Sequence, residues 1–146
     1  IAYVSDNKMI AVSDKNIMVF DGSQKPKLKQ KIKLEKQIDS VFYNNKYIGV
    51  AYSNNDKKCT SHIKLYDFNG KMLMENDTSI AYRNIEFDSN NEVCVTGETA
   101  CEIYTIHGVK KFYHTFDQKL YKVMYKSGIN NYIFIYEGAM GEVRLK

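Results

Sequence analysis

The sequence contains no tryptophan, a single proline and no long apolar run. None of its apolar stretches approaches the roughly 18 residues that a membrane-spanning helix requires, so this chain is expected to make no direct contact with a membrane. No secretory signal is recognisable either. Because the sequence begins at Ile1 rather than at Met, we expect a processed or truncated product whose targeting segment lies outside it.

Arginine is almost absent, since Arg83 and Arg144 are the only two. The net charge of +4, from 21 Lys and Arg against 17 Asp and Glu, is mild. Nucleic-acid-binding proteins usually concentrate a stronger basic field and use the bidentate arginine fork. We therefore expect no nucleic-acid partner and interpret the positive balance as a contribution to solubility.

Cysteine is also scarce, because Cys59, Cys94 and Cys101 are too few for a disulfide scaffold. If Gly97-Glu98 is a two-residue turn, Cys94 and Cys101 lie directly opposite each other on a hairpin, where a bridge is geometrically possible. The alternative, which we favour, is a pair of small, half-buried strand residues.

Aromatic residues, by contrast, are abundant. The chain has 12 tyrosines and 7 phenylalanines, and its apolar content of 44% is ordinary for a globular protein. Flat rings pack well on the pleated surface of a sheet, whereas the helix-favouring residues alanine and leucine are sparse. This composition predicts an all-β protein.

An internal repeat in the sequence indicates which kind of all-β fold the chain forms. Apolar strands that follow a tight turn recur with spacings of 46, 40 and 40 residues, starting at Ile17, Ile63, Ile103 and Val143. A second set of strands, each opened by an asparagine, recurs with spacings of 38, 46 and 40 residues, at Asn7, Asn45, Asn91 and Asn131. A unit of about 40 residues with four short strands has the size of one propeller blade.

We therefore predict a single all-β domain over residues 1–146, a β-propeller or partial propeller. It has about four blades, each a four-stranded antiparallel meander, and the last blade is incomplete. The predicted repeats are 1–37, 38–79, 80–118 and 119–146.

Lysine alternates with mostly apolar residues in the last strand of the first repeat, Lys27–Leu34. The pattern predicts one buried face and one face with four cations. Such lysine rows commonly protect an outermost strand from pairing edge to edge with another sheet. A stripe that binds nucleic acid is the alternative, but no aromatic residues interleave with the lysines to stack on bases.

With these residues in hand, the chain resembles the β-propeller superfamily. It lacks the Trp-Asp and Gly-His signatures of WD repeats, and its Tyr66-Asp67-x-x-Gly70-Lys71 unit is similar to quinoprotein-like and NHL-like blades. Residues 38–146 also resemble the C-terminal half of a family of uncharacterised bacterial proteins. The matching segments are Ile103–Gly108, Tyr132–Ile135 and Val143–Lys146.

The members of that family have a short N-terminal tail, one transmembrane helix and an extracytoplasmic propeller-like domain. The resemblance thus implies an extracytoplasmic location, with anchoring through an N-terminal segment absent here. It carries over no catalytic or ligand-binding residue.

The sequence offers no catalytic, cofactor-binding or metal-ligating residue, and no cofactor is expected. His107 and His114 lie near one hairpin and could approach each other, but nothing is spaced to complete a zinc site. Cys59 has His62 nearby without an orienting acid. Gly138–Gly141 lacks the Lys-Ser/Thr that follows in a phosphate-binding loop.

Two functions fit this architecture. The first is a non-catalytic binding or scaffold module for a protein or a glycan, because tyrosine offers a large face with one polar group. The second is part of a propeller enzyme whose active site lies in the central channel and needs blades absent from this chain. For the first function, the binding module, the candidate contact residues are Tyr43, Tyr47, Tyr52, Tyr82, Tyr121, Tyr125 and Tyr136.

An incomplete last blade leaves open sheet edges, which destabilise an isolated monomer. We predict that the remainder of the parent propeller or a second copy of the chain completes the fold. Light scattering coupled to size-exclusion chromatography, on the chain alone and mixed with the rest of the parent, checks this prediction. The expected result is a dimer or a complex, whereas a stable monomer with a fully paired, closed ring contradicts it.

Overall fold

Alternating apolar residues and short turns give this chain a fold of strands alone, as a computed structural model shows. The structure describes residues 2–5, 7–53, 61–128 and 130–145, and for residues 2–4 only the backbone. Within these residues there are fifteen strands and no helix. The part described thus also holds no helix long and apolar enough to cross a membrane.

The strands form four antiparallel sheets, each following the order of the chain. Sheet 1 has four strands: β1 (Ala2–Ser5), β2 (Lys8–Val12), β3 (Asn16–Asp21) and β4 (Leu28–Lys33). Sheet 2 has four: β5 (Ser40–Tyr43), β6 (Tyr47–Ser53), β7 (Ser61–Asp67) and β8 (Met72–Thr78). Sheet 3 has four: β9 (Asn84–Phe87), β10 (Val93–Thr96), β11 (Ala100–Tyr104) and β12 (Lys110–Thr115). Sheet 4 has three: β13 (Leu120–Lys126), β14 (Asn131–Tyr136) and β15 (Ala139–Arg144).

This arrangement confirms the predicted fold class, four meanders of which the last is incomplete. The described residues group into two compact units. The first unit holds residues up to 53 together with 62–76, and the second holds residue 61 together with 77–145.

Each unit has its own apolar core. The core of the first unit is built from Ile10, Ile17, Val19, Leu34, Ile48, Val50, Tyr66 and Phe68. The core of the second unit is built from Cys94, Cys101, Ile103, Leu120, Val123, Tyr132 and Phe134. In both units these residues alternate along their strands, because successive side chains of a strand point to opposite faces of the sheet.

The lysine strand β4 differs in part from its prediction. Leu28 is 51% exposed, whereas Ile32 is half-buried and Leu34 is 4% exposed. The pairing with β3 is irregular where Val19 faces Gln30 and Phe20 faces Leu28. The buried face therefore starts only after this irregularity.

Cys94 and Cys101 do not lie opposite each other. The register pairs Cys94 with Ile103 and Cys101 with Thr96. The turn is Glu98-Thr99 rather than Gly97-Glu98, since the Gly97 N–H donates to the Ala100 carbonyl at 2.8 Å. Both thiols are unbridged and fully buried, so the expected half-burial is also wrong.

A buried carboxylate joins sheet 3 to sheet 4. Glu92, only 4% exposed, accepts hydrogen bonds from the Tyr132 hydroxyl at 2.8 Å and from the Asn90 amide at 2.7 Å. The Lys111 ammonium lies 2.8 Å from the same carboxylate and donates to the Asn130 side chain at 2.8 Å. We call Glu92, Lys111 and Tyr132 the glutamate clamp. Burial and the hydrogen bond to Glu92 raise the pKa of Tyr132, which keeps its hydroxyl protonated as a donor.

A β-bulge in β12 orients the clamp lysine. Ile103 pairs with Phe112 and Tyr104 pairs with Lys110, so Lys111 is the extra residue. The shift places Lys110 on the opposite side of the sheet from Phe112. There Lys110 lies 3.3 Å from the fully buried Glu102, which also accepts a hydrogen bond from Thr78 at 2.7 Å and one from Tyr104.

We expect Lys111→Met to destabilise the protein by about 2–4 kcal/mol, because it leaves the Glu92 charge buried without its cation. Lys126→Met is the matched control. Lys126 pairs with Glu142 at 2.9 Å, but these side chains are 45% and 54% exposed. Its loss is therefore expected to cost less than about 1 kcal/mol. Urea unfolding followed by circular dichroism measures both, and equal losses contradict the clamp.

The buried thiols of Cys94 and Cys101 are expected to be unreactive in the folded protein. Burial raises the pKa of Cys101 to about 12 and that of Cys94 well above its usual value. The thiolate is the reactive form, so both thiols are expected to be unreactive at pH 8 in the folded protein. In a Cys59→Ser chain, Ellman's reagent should react with neither thiol until guanidinium chloride unfolds the protein. Prompt reaction of the folded chain would contradict this burial.

Candidate functional site

A concave pocket opens in the second unit where the end of β12, the connection to β13 and the β14–β15 turn meet. Its volume is about 280 Å³. We call it the aromatic pocket, and it is lined by His114, Thr115, Phe116, Asp117, Gln118, Tyr136 and Ala139. This volume is slightly below the usual range for drug-sized ligands, so the pocket fits one ring-sized group.

Backbone hydrogen bonds hold the connection in place. The Phe116 N–H donates to the Thr99 carbonyl at 2.7 Å, and the Leu120 N–H donates to the Glu98 carbonyl at 2.8 Å. At the other side, the Glu137 N–H donates to the Lys119 carbonyl at 2.9 Å. The short segment between these bonds is therefore fixed at both ends while its side chains remain at the surface.

Stacked and tilted rings form the apolar wall. The centroid of Phe116 lies 5.2 Å from that of Tyr136 and 5.3 Å from that of Phe134. His114 meets Phe116 edge-on, with centroids 4.7 Å apart. These separations lie in the range in which aromatic pairs attract each other beyond their area burial. The half-buried Phe116 and Tyr136 thus present fixed ring surfaces to the pocket.

Gly141 has no side chain, and this makes room for the Tyr136 ring. A Cβ at Gly141 would lie 2.6 Å from the Tyr136 hydroxyl and 3.0 Å from the nearest ring carbon. Real Cβ atoms do not approach so closely, so any other residue at 141 would displace the ring. The glycine on β15 therefore decides the position of a tyrosine on β14.

Polar groups surround the rings. Asp117 and Gln118 are exposed and lie beside the rings in the lining of the pocket. Among the described residues, neither side chain has a hydrogen bond or an ion pair, and both remain available to a ligand. Together with the Tyr136 hydroxyl, they supply a charged acceptor, an amide that donates and accepts, and a phenol.

The three histidines belong to different elements of the fold. His62, on β7, is 2.9 Å from Glu75, and its ring centroid is 5.2 Å from that of Tyr52. His107 is exposed in the β11–β12 turn, whereas His114 is the fifth residue of β12. Because a strand rises about 3.3 Å per residue, roughly 13 Å of β12 separates the turn from His114. The approach of His107 to His114, which the sequence left possible, is therefore not found.

The part of the chain that the structure describes contains no cluster of side chains that could bind a metal ion. Across residues 2–5, 7–53, 61–128 and 130–145, no three His, Cys, Asp or Glu side chains converge as metal ligands. The Cys59 nucleophile considered with His62 lies outside the described residues.

The candidate tyrosines separate into three groups. Tyr43 and Tyr121 are both 49% exposed, and Tyr52 is buried. The half-buried ones are Tyr47, Tyr82, Tyr125 and Tyr136. Of the seven, the aromatic pocket contains Tyr136. Sequence reasoning missed Phe116, Asp117 and Gln118, which carried no signal beyond their place in a short connection between two strands.

The model of a protein family described as a family of unknown function (DUF5711) matches residues 1–145. No curated protein matches the chain.

Solved structures of the β-propeller type resemble the chain. Hsv2 of Kluyveromyces lactis superposes with a TM-score of 0.61 at 9% identity, over 99% of this chain and 48% of Hsv2. BBS1N, solved in complex with ARL6DN, superposes with a TM-score of 0.54 at 15% identity, over 91% of this chain and 44% of BBS1N. The chain thus spans about half the length of these structures, and the likeness shows the fold alone.

Proposed function

This chain belongs to DUF5711, a family of unknown function, and we propose from its own residues that it is a non-catalytic binding module of β-propeller type. Its ligand is a glycan, one sugar unit of which enters the aromatic pocket. The observation that carries the proposal is the contact of the Phe116 and Tyr136 rings, 5.2 Å apart, beside the available Asp117 and Gln118 side chains.

The chemical groups of a sugar complement the aromatic wall of the pocket and the polar groups beside it. A sugar ring has an apolar face of C–H groups, which packs on aromatic rings, and a rim of hydroxyl groups. Each hydroxyl donates and accepts, as do the Gln118 amide and the Tyr136 phenol, and the Asp117 carboxylate accepts. Sites of this kind combine aromatic surface with a few polar groups that fix the orientation of the ligand.

The size of the pocket favours a sugar over a protein surface. A stable protein–protein contact buries about 800 Å² on each partner. A cavity of about 280 Å³ encloses one ring instead. The protein ligand therefore ranks second, and the test below separates the two.

Binding also fits the pocket better than hydrolysis. Glycoside hydrolysis ordinarily uses two carboxyl groups that flank the scissile bond. Asp117 is the single carboxylate among the described residues of the lining. Capture of a sugar needs one such acceptor, so the present set of groups is sufficient for binding.

The proposal includes an extracytoplasmic location, with anchoring through an N-terminal segment outside residues 1–146. Two points support it: the resemblance to membrane-anchored propeller-like proteins, and a ligand class that is abundant at cell surfaces. The partner that completes the propeller, the rest of the parent or a second copy, remains part of the same proposal.

We expect the 146-residue chain to bind selected members of an array of immobilised mono- and oligosaccharides. Isothermal titration with the saccharide that gives the strongest signal then measures affinity. Asp117→Asn is expected to weaken binding about tenfold, because it removes a charged acceptor. Tyr136→Ala is expected to abolish detectable binding, since it removes one ring of the wall.

Asp14→Asn and Tyr113→Ala are the matched controls and should bind like the wild type. Asp14 is an exposed carboxylate of the first unit, and Tyr113 is 52% exposed on β12 without lining the pocket. An array without signal overturns the proposal, as does binding that Asp117→Asn and Tyr136→Ala leave unchanged. Retention of a protein at this pocket, in place of a saccharide, overturns the choice of ligand.

A further inference from the structure

A second concave site lies in the first unit, where the β1–β2 and β7–β8 turns meet residues of β2, β3 and β4. Its volume is about 370 Å³. We call it the lysine pocket, and it is lined by Asn7, Lys8, Val19, Phe20, Asp21, Lys29, Gln30, Phe68 and Asn69. No part of the aromatic pocket contributes to it, so the two sites are independent.

The floor of the lysine pocket is apolar. Phe68 and Val19 are 6% and 2% exposed and belong to the core of the first unit. Phe20, half-buried, adds a second ring to the lining. A ligand in this pocket therefore meets a rigid apolar surface rather than water.

Lys8 places a cation over that floor. Its ammonium lies 5.3 Å from the centroid of the Phe68 ring. Among the described residues, no carboxylate pairs with Lys8. The ring face holds the ammonium electrostatically but leaves its charge uncompensated. Beside an apolar surface, attraction of an anion to this charge is stronger than in bulk water.

Lys29 brings a second cation, and its carboxylate neighbour is already engaged. Asp21 accepts hydrogen bonds from the Ser23 hydroxyl at 2.7 Å and from the Lys27 N–H at 2.9 Å. These bonds lower the pKa of Asp21 and keep it ionised. Lys29 lies 3.8 Å from the other oxygen of Asp21, too far for a hydrogen bond. The lining thus carries two cations against one anion, which is shared between Lys29, Ser23 and the Lys27 N–H.

The β7–β8 turn brings amide groups to the same place. Gly70 has a φ of +84°, and a Cβ there would lie 3.2 Å from the Gln30 side-chain oxygen. The glycine therefore lets Gln30 lie against the turn that carries Phe68 and Asn69. Asn7, Gln30 and Asn69 supply uncharged donors and acceptors around the two lysines.

We propose that the lysine pocket binds a small organic anion, a carboxylate or phosphate carried on a flat apolar ring. The anionic group lies toward Lys8 and Lys29, and the ring packs on Phe68 and Val19. The juxtaposition of the Lys8 ammonium, which has no ion pair within the described residues, with a second lysine and a buried aromatic floor selects for both parts of such a ligand.

Titrations of the ¹⁵N-labelled 146-residue chain with four probes test the proposal: benzoate, phenyl phosphate, benzyl alcohol and inorganic phosphate. We expect benzoate or phenyl phosphate to shift the amide signals of Asn7, Lys8 and Asn69 at millimolar concentration. Benzyl alcohol lacks the anion and inorganic phosphate lacks the ring, so each is expected to bind at least tenfold more weakly. The comparison of benzoate with phenyl phosphate identifies the preferred anionic group.

Lys8→Met is expected to weaken binding of the better probe at least tenfold, and Lys29→Met to weaken it less. Lys46→Met, an exposed lysine in a turn of the same unit, is the control and should leave binding unchanged. The spectrum of each variant shows whether it remains folded, and Lys29→Met replaces Lys8→Met as the test if the latter unfolds.

Absence of shifts at these amides overturns the proposal, as do equal losses in Lys8→Met and Lys46→Met. Inorganic phosphate that binds as tightly as phenyl phosphate overturns the role of the apolar floor. None of these results depends on the glycan experiment, because the two pockets share no residue.

Discussion

The buried carboxylate of Glu92 is the constraint on which the second unit depends. A charge removed from water must be paired and hydrogen-bonded, and Lys111, Tyr132 and Asn90 together satisfy it. Two of these partners lie on different sheets, Lys111 on β12 and Tyr132 on β14. The requirement to satisfy one charge therefore fixes how sheet 3 and sheet 4 meet.

The aromatic pocket is a consequence of this fixed packing of sheet 3 against sheet 4. Phe134 and Tyr136 follow Tyr132 at alternate positions of β14, so they share its face of the sheet. Phe112, one residue after the clamp lysine, contacts Phe134 with centroids 5.5 Å apart. Phe116 then packs between Phe134 and Tyr136. The position of the rings thus follows from the clamp, and the connection between the sheets adds the polar groups.

Both pockets lie where turns and connections meet, and each rests on a core of strands. Asp117, Gln118, Asn7 and Asn69 lie in turns or connections, whereas the rings of Phe116, Tyr136 and Phe68 belong to or adjoin the cores. This division is usual for binding sites, because a rigid scaffold positions loop residues whose own backbone is exposed. The two sites differ in charge, since one offers a carboxylate and the other two lysines. They therefore suit ligands of different chemistry.

Much of the architecture was predictable because strand formation depends on local patterns. The asparagines that open Lys8–Val12, Tyr47–Ser53 and Asn131–Tyr136 marked these strands near their observed starts. The errors came at turns. β15 begins at Ala139, four residues before the Val143 that marks this strand in the repeat, because Tyr136 already pairs with Ala139 around Glu137-Gly138. A shift of one residue in the turn after Thr96 likewise moved the register by two residues and changed the partner of Cys94 from Cys101 to Ile103.

The sequence by itself determined the all-β class, the repeat of about 40 residues and the four meanders with an incomplete last one. Each of these follows from alternation and turn residues within a short stretch of chain. Only the tertiary structure decided the clamp and the pockets. Glu92 and Tyr132 are 40 residues apart, and Arg83 donates to the carbonyl of Leu120, 37 residues away. No local pattern encodes such a pair, because the energy of burying a charge or packing a ring depends on neighbours that folding alone brings together.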